Sequence, residues 1–235
     1  MGINYFFYNE KSSLEYNVFI SGEHTWDTPS KDIEVFEVPG KNGTLSISNG
    51  RYQNINISYR CLIADNFSAN FDAFKAYLLS QTGYKKLKDT YHPEYYRRAR
   101  YVEGIIPEMT QLNRHGGFDI VFDCDPRRFL TEGEELKEVT SGTDILNDTL
   151  FTASPIIRAY GTGTITVGSV SVVVNSADGY TDLDCELQEA YKGSTNCNAN
   201  ITLSNGVFPT LKPGNNTITF SGFSKVEIAS NFWTI

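Results

Sequence analysis

Two segments of this chain alternate apolar and polar residues with a period of two, and they limit the fold more than anything else in it. Ile55, Ile57, Tyr59 and Cys61 alternate with Asn56, Ser58 and Arg60, and Phe118, Ile120, Phe122 and Cys124 alternate with Asp119, Val121, Asp123 and Asp125. Successive side chains of a strand point to opposite faces, so such segments predict half-buried strands. Short apolar runs at 3–8 and 16–20 and short segments at 35–38, 44–48 and 98–103 read as further strands. Pro39-Gly40, Asn42-Gly43 and Asn49-Gly50 supply turn signals between them, the last as a hairpin turn. One segment breaks the pattern. In NFSANFDAFKAYLLSQTG, Phe71, Phe74, Tyr77 and Leu78 recur at helical spacing, with Ser68 or Asn70 to cap the start and Gly83 to close the end.

After residue 131 no helical period is visible, and turn formers recur at short intervals: Ser154-Pro155, Gly161 to Gly163, Asp178-Gly179, Asn205-Gly206, Pro213-Gly214 and Ser221-Gly222. Short strands between them, at 164–167, 171–174, 201–203, 217–220 and 225–228, predict an antiparallel sandwich or jelly roll. TEGEELKEVTSGTD is charged and poor in large apolar residues, which marks a linker or an exposed hairpin. The predicted organisation is mainly β in two domains, 1–130 and 131–235. A chain of 235 residues is long enough to bury both cores without disulfides.

The formal charge of -8 is uneven. Residues 1–130 carry 15 basic and 16 acidic residues, whereas 131–235 carry 5 and 12, a net of -1 against -7. Such a chain has no general attraction to phosphate backbones or anionic lipid, which argues against specific nucleic-acid recognition. No run approaches membrane-spanning length, and the polar start MGINYFFYNE, with Phe6 where myristoylation favours Ser or Thr, predicts neither signal peptide nor lipid anchor.

Catalytic and metal chemistry find little support. Cys61, Cys124, Cys185 and Cys197 form no CxxC pair, and His24, His92 and His115 have no partner at metal-ligand spacing. No cofactor and no metal are therefore expected. Asp182, Asp184 and Glu186 would share one face of a strand and tempt a glycosidase assignment. An acidic strand face with Leu183, Cys185 and Leu187 turned to the core explains them without catalysis, and no enzymatic activity is predicted.

Residues 84–107, YKKLKDTYHPEYYRRARYVEGIIP, are the unusual stretch. Lys85, Lys86, Lys88, Arg97, Arg98 and Arg100 interleave with Tyr84, Tyr91, Tyr95, Tyr96 and Tyr101, and Tyr with Arg dominates protein interfaces. A protein interface, an ordinary solvated surface and a platform for single-stranded nucleic acid all fit this composition, the last disfavoured by the acidic total.

The order of segments supplies a resemblance. VPGKNGTLSISNGRYQNINISYRC, then GYKKLKDTYHPEYYRRARYVEG after the helix, then GGFDIVFDCDPRRF resemble the first domain of the distal tail protein (Dit) family of long-tailed bacteriophages, the Gram-positive host type. ILNDTLFTASPIIRAYGTGTITV, TDLDCELQEAYKGSTNCN and FPTLKPGNNTITFSG resemble its second. The resemblance implies an N-terminal β-sandwich with one helix and an extended β-hairpin arm, followed by a C-terminal galectin-like β-sandwich. It implies a structural virion protein, assembled in the host cytoplasm, that forms a hexameric ring at the distal end of the tail. This baseplate hub would join the tail tube and tape-measure proteins to the tail-associated lysin or tail fibre protein, and could carry receptor-binding or other baseplate proteins. Residues 84–107 would then be the arm, with Tyr84, Tyr91, Tyr95, Tyr96, Arg97, Arg98 and Arg100 at the ring interface. The alternative is a carbohydrate-binding module for host cell-wall glycans, using Tyr180, Tyr191 and Trp233.

Overall fold

The computed structural model describes residues 2–22, 28–110 and 114–235, and the backbone divides into two compact units, residues 1–128 with Ile235 and residues 129–234. His24 lies outside the described residues.

The first unit contains β1 (Phe6–Tyr8), β2 (Lys11–Ser12), β3 (Val18–Ile20), β4 (Lys31–Glu37), β5 (Thr44–Tyr52), β6 (Ile55–Ile63), α1 (Phe67–Ser80), β7 (Lys85–Asp89), β8 (Tyr95–Tyr101), β9 (Glu108–Thr110) and β10 (His115–Cys124). Its main sheet is antiparallel in the order β2-β1-β7-β8-β10-β6-β3, with β9 also on β10. The two alternating segments are the neighbours β6 and β10. Their register sets Cys61 opposite Phe118, Tyr59 opposite Ile120 and Ile57 opposite Phe122, so one face of the pair is apolar throughout. All six side chains are buried. A one-residue slip would turn the whole set to solvent, which is why the pattern fixes the register.

The sheet curls until its ends meet. Phe6 of β1 stacks on Tyr59 of β6 at 5.4 Å and meets Phe122 edge-on at 5.6 Å, although β7, β8 and β10 separate β1 from β6 in the sheet. These strands therefore face each other across the core, as the two layers of a sandwich do. The Ile20 amide donates to the Asn4 carbonyl at 2.8 Å and closes the gap between the first and last strands. Helix α1 adds Phe67, Phe71, Phe74 and Leu78, all buried at helical spacing. Its boundaries differ from expectation. Asn66, in the left-handed region, is the N-cap, and Ser68 and Asn70 fall inside the helix. Asn70 Nδ2 instead donates back to the Asp65 carbonyl, and the helix ends at Gln81, before Gly83.

The second unit contains most of β11 (Arg128–Leu130), then β12 (Lys137–Val139), β13 (Thr143–Asn147), β14 (Ile156–Tyr160), β15 (Gly163–Val167), β16 (Val170–Val174), β17 (Tyr180–Asp184), β18 (Glu189–Lys192), β19 (Thr195–Asn196), β20 (Ile201–Leu203), β21 (Gly214–Ser221), β22 (Lys225–Ala229) and β23 (Trp233–Thr234). Two antiparallel sheets, β12-β22-β14-β17-β18-β19 and β13-β21-β15-β16-β20, make the galectin-like sandwich. Ile157, Leu183, Val226 and Ile228 of the first sheet share one buried core with Ile165, Val167, Val172 and Ile218 of the second. The charged segment after residue 131 forms a single 3-10 turn at Thr131–Gly133 and then the short strand β12.

Candidate functional site

An extended hairpin is present, and β4 and β5 form it, not residues 84–107. The two strands pair only with each other, as a two-stranded sheet of their own. Their register sets Glu34 opposite Ile47 and Phe36 opposite Leu45 on one face, and Ile33 opposite Ser48, Val35 opposite Ser46 and Glu37 opposite Thr44 on the other. One face is thus apolar around a single carboxylate, and the other mixes Ser and Thr with Ile33 and Val35. Phe36, Leu45 and Ile47 are 44%, 46% and 50% exposed, far more than core residues of this size. An isolated two-stranded hairpin is marginal in water, so exposed apolar side chains on one mark a contact face. The turn lies at the Pro39-Gly40 and Asn42-Gly43 signals. Asn49-Gly50 is not a turn: it lies within β5, where Gly50 takes a positive φ of 70° opposite the register irregularity between Lys31 and Ile33. A bulge of the glycine type uses the same left-handed residue that a two-residue hairpin turn does.

The tyrosine- and arginine-rich stretch is central sheet, with β7 and β8 running between β1 and β10. Leu87 and Ala99 are buried, and Leu87 stands opposite Arg97 on the inner face. Arg97 Nη1 donates to the Pro126 carbonyl at 3.1 Å, and burial lowers the pKa of its guanidinium. Tyr91 Oη donates to the Gly22 carbonyl at 2.6 Å, while its backbone amide donates to Asp89, which also accepts from Tyr59 Oη at 2.7 Å. The Arg128 guanidinium covers the Tyr95 ring at 4.9 Å. Tyr91, Tyr95 and Arg97 thus make contacts within the first unit. Tyr96, Arg98 and Arg100 alternate to the outer face with Lys86, although Tyr96 is only 8% exposed and the Lys86 ammonium lies 5.1 Å from its ring.

Tyr84 and Arg100 meet residues at the root of the hairpin. Asn54, just past β5, donates from Nδ2 to Tyr84 Oη at 2.6 Å and to Asp123 Oδ1 at 2.8 Å. Arg100 Nε donates to the other oxygen of Asp123 at 2.7 Å and its guanidinium lies 5.2 Å from the Tyr84 ring. Four side chains from the end of β5, the start of β7, β8 and β10 are tied together there. Sequence reasoning missed Asn54 and Asp123 in this role, because nothing local marks an amide that bridges residues 30 and 69 positions away.

In the second unit Asp182 and Asp184 are engaged by neighbouring groups. Asp182 holds Arg158 in a two-point ion pair at 2.7 and 2.9 Å, which raises the guanidinium pKa further, and Asp184 Oδ1 accepts the amides of Glu186 and Leu187 in the turn after β17. Because the strand ends at Asp184, Glu186 does not share its face and Leu187 is 65% exposed instead of core-facing. The aromatic candidates for glycan contact engage neighbours: Arg158 lies 4.5 Å over Tyr180, and Trp233 stacks on Phe151 at 4.3 Å and donates from Nε1 to the Thr152 carbonyl. Among the described residues no group of three or more His, Cys, Asp and Glu side chains could hold a metal ion, and no helix is long and apolar enough to cross a membrane.

No protein-family model matches the chain, and no curated protein sequence matches it. Solved structures do. SPP1 Dit (gp 19.1), described as a paradigm of the hub adsorption apparatus in phages infecting Gram-positive bacteria, aligns over 100% of both chains with a TM-score of 0.73 at 14% identity. The fold is that of a phage distal tail protein. A chain of the phage P2 baseplate in its activated conformation with calcium shares it at TM-score 0.58 and 10% identity over 97% of each chain. The strontium form of that baseplate gives 0.57 and 10% over 96%. At such low identity the distal tail fold rests on pattern, the buried alternation of β6 and β10 and the two stacked sheets of the second unit, and not on shared residues.

Proposed function

We propose that this chain is a structural component of a phage tail tip, a baseplate hub whose copies close head to tail into a hexameric ring. In this role it is virion-located after assembly in the host cytoplasm. It joins the tail tube and tape-measure protein on one side to the tail-associated lysin or tail fibre protein on the other, leaves its second unit available to receptor-binding or other baseplate proteins, and performs no catalysis. The observation that carries the proposal is the end-to-end likeness to SPP1 Dit across both units, with neither chain leaving a part unmatched. A head-to-tail ring needs two different complementary patches on each subunit. The hairpin of β4 and β5 supplies one, and the outer face of β7 and β8 carries the cations Lys86, Lys88, Arg98 and Arg100 for the other.

Light scattering on the purified chain tests this, with negative-stain electron microscopy. A mass of about six chains, or two stacked rings of that size, with a central opening is expected. A stable monomer at high concentration overturns it. Saturable binding of cell-wall glycan by a chain that stays monomeric would favour the carbohydrate-binding module instead.

A further inference from the structure

We propose that the second unit binds a neutral saccharide, one or two sugar residues long, in an open cleft where β17 begins and β18 ends. The cleft is complete within one copy of the chain, so binding there does not depend on ring closure.

The cleft has a volume of about 490 Å³, and Asp178, Tyr180, Lys192, Ser194, Asn196 and Asn200 contribute to its lining. That volume lies within the range of about 300–1,000 Å³ usual for small-molecule sites, but those are mostly apolar and this lining is mostly polar. Its frame is well tied. Gly193-Ser194 joins β18 to β19 as a two-residue turn, with Gly193 at a positive φ of 59°. The Cys197 amide donates to the Ala190 carbonyl at 2.7 Å, and Asn198 Oδ1 accepts the Ala190 amide at 2.6 Å. Asn200 donates its own amide to the Cys197 carbonyl at 2.9 Å and accepts the Asn175 amide at 2.8 Å. Side chains carried on a backbone held in this way lose little freedom when a ligand arrives.

Charge decides the ligand class. Lys192 Nζ donates to Asp178 Oδ2 at 2.9 Å and also to the Asp178 carbonyl, so the one ammonium and the one carboxylate of the lining neutralise each other. An anion would have to compete with Asp178 for Lys192, in a half of the chain that holds 5 basic and 12 acidic residues. A cation would find the carboxylate taken. The groups left over are neutral: the Asn200 side-chain amide and the Ser194 hydroxyl make no hydrogen bond among the described residues, and Asn196 uses only Oδ1, which accepts the Asn198 amide at 3.0 Å. Amides and hydroxyls both donate and accept, as the hydroxyls of a sugar do. An apolar ligand would strip water from these groups without replacing their bonds. Tyr180 adds a half-buried ring, steadied by the Arg158 guanidinium at 4.5 Å and by Tyr160 at 5.9 Å. A pyranose can lay its C–H face on that ring while its hydroxyls meet the amides.

Titration of the full chain with glucose, galactose and N-acetylglucosamine, followed by saturation-transfer difference NMR, tests the site, with glucose 6-phosphate and glucuronate as charged comparators. At least one neutral sugar is expected to bind saturably with a dissociation constant on the order of 1 mM, ordinary for so small a polar ligand, and the charged sugars more weakly by about tenfold. Asn200→Ala and Tyr180→Ala are each expected to weaken binding by about tenfold, a loss typical of one well-placed contact, whereas Tyr180→Phe retains it. Asn200→Ala removes a side chain that supports no other residue, so it keeps the test decisive if Tyr180→Ala fails to fold. Trp233→Phe leaves binding unchanged, because Trp233 stacks on Phe151 outside the cleft. Absence of saturable binding by every neutral sugar overturns the proposal. A preference for the charged sugars, or binding that survives both Asn200→Ala and Tyr180→Ala, does so as well. Each of these outcomes leaves the ring proposal standing, since its own failure is read from a monomeric mass.

Discussion

The Asn54 side-chain amide donates to Tyr84 Oη at 2.6 Å, which bonds the residue leaving the hairpin arm to the residue that opens the basic stretch. The same amide reaches Asp123, so the arm leaves the body in a direction set by β7 and β10 together. Asn54→Ala is expected to cost no more than about 1 kcal/mol of global stability, since the bonds are solvent-exposed. It should nevertheless accelerate amide exchange through residues 31–52 while α1 and β6 keep their protection. Unchanged exchange in the arm would show that the cluster does not anchor it.

The aromatic core of the first unit is predicted to be intolerant of cavities. Phe122 is fully buried and meets Phe6, Tyr8, Tyr59 and Tyr101. Phe122→Ala is expected to destabilise this unit by about 3–5 kcal/mol, through lost transfer energy and an unfilled cavity. Denaturant unfolding followed by tyrosine fluorescence measures the loss, and a cost below about 1 kcal/mol would contradict the packing.

Two glycines should respond unequally to an added methyl group. A Cβ at Gly163 would lie 2.2 Å from the Ser221 carbonyl oxygen, a backbone atom in the neighbouring strand. At Gly116 it would lie 2.3 Å from the Phe67 ring, which can shift with the first turn of α1. Both alanine variants are expected to melt earlier, by about 1–3 kcal/mol for overpacking, with Gly163→Ala the worse. Calorimetry resolves the two units if Gly163→Ala lowers one transition and Gly116→Ala the other.

The thiols give a prediction in pH. Cys61, Cys124 and Cys185 are buried and Cys197 is half-buried, so a thiol reagent should label one cysteine quickly in the folded chain and all four after denaturation. Burial pushes the Cys124 thiol up to about 12 from an ordinary value of 9.0. Its folded-state proton is held where the unfolded chain has lost it, so its contribution to stability is intact below pH 9.0 and declines as pH rises from there towards about 12. Melting temperatures should accordingly fall on the alkaline side, and fast labelling of more than one thiol at neutral pH would contradict the burial.

Much of this architecture was legible in the residues. The alternation of 55–61 and 118–124 identified two strands, and the spacing of Phe71, Phe74 and Leu78 identified the helix, because burial on one side writes its period into the sequence. What was not legible depends on partners distant in the chain. Tyr95 to Arg100 look like surface by composition, yet they run through the middle of a sheet whose inner face accepts Arg97 through the Pro126 carbonyl. Asn49-Gly50 carries the same local signal whether it turns a chain or bulges a strand, and only the pairing with Ile33 and Lys31 decides. Leu187 fits a strand alternation until Asp184 ends the strand by capping the next turn. At the candidate site, the sequence marks Arg100 and Tyr84 only by type, while their link through Asn54 and Asp123 exists only once the strands are paired.

The bond from Ile20 to Asn4 seals the curled sheet, and a sealed sheet offers few free strand edges to other molecules. The hairpin of β4 and β5 has no such seal, and it presents unpaired backbone along both sides together with β-branched and aromatic side chains. Any tendency of this protein to aggregate should therefore begin in residues 31–52, where unpaired backbone and exposed apolar side chains coincide.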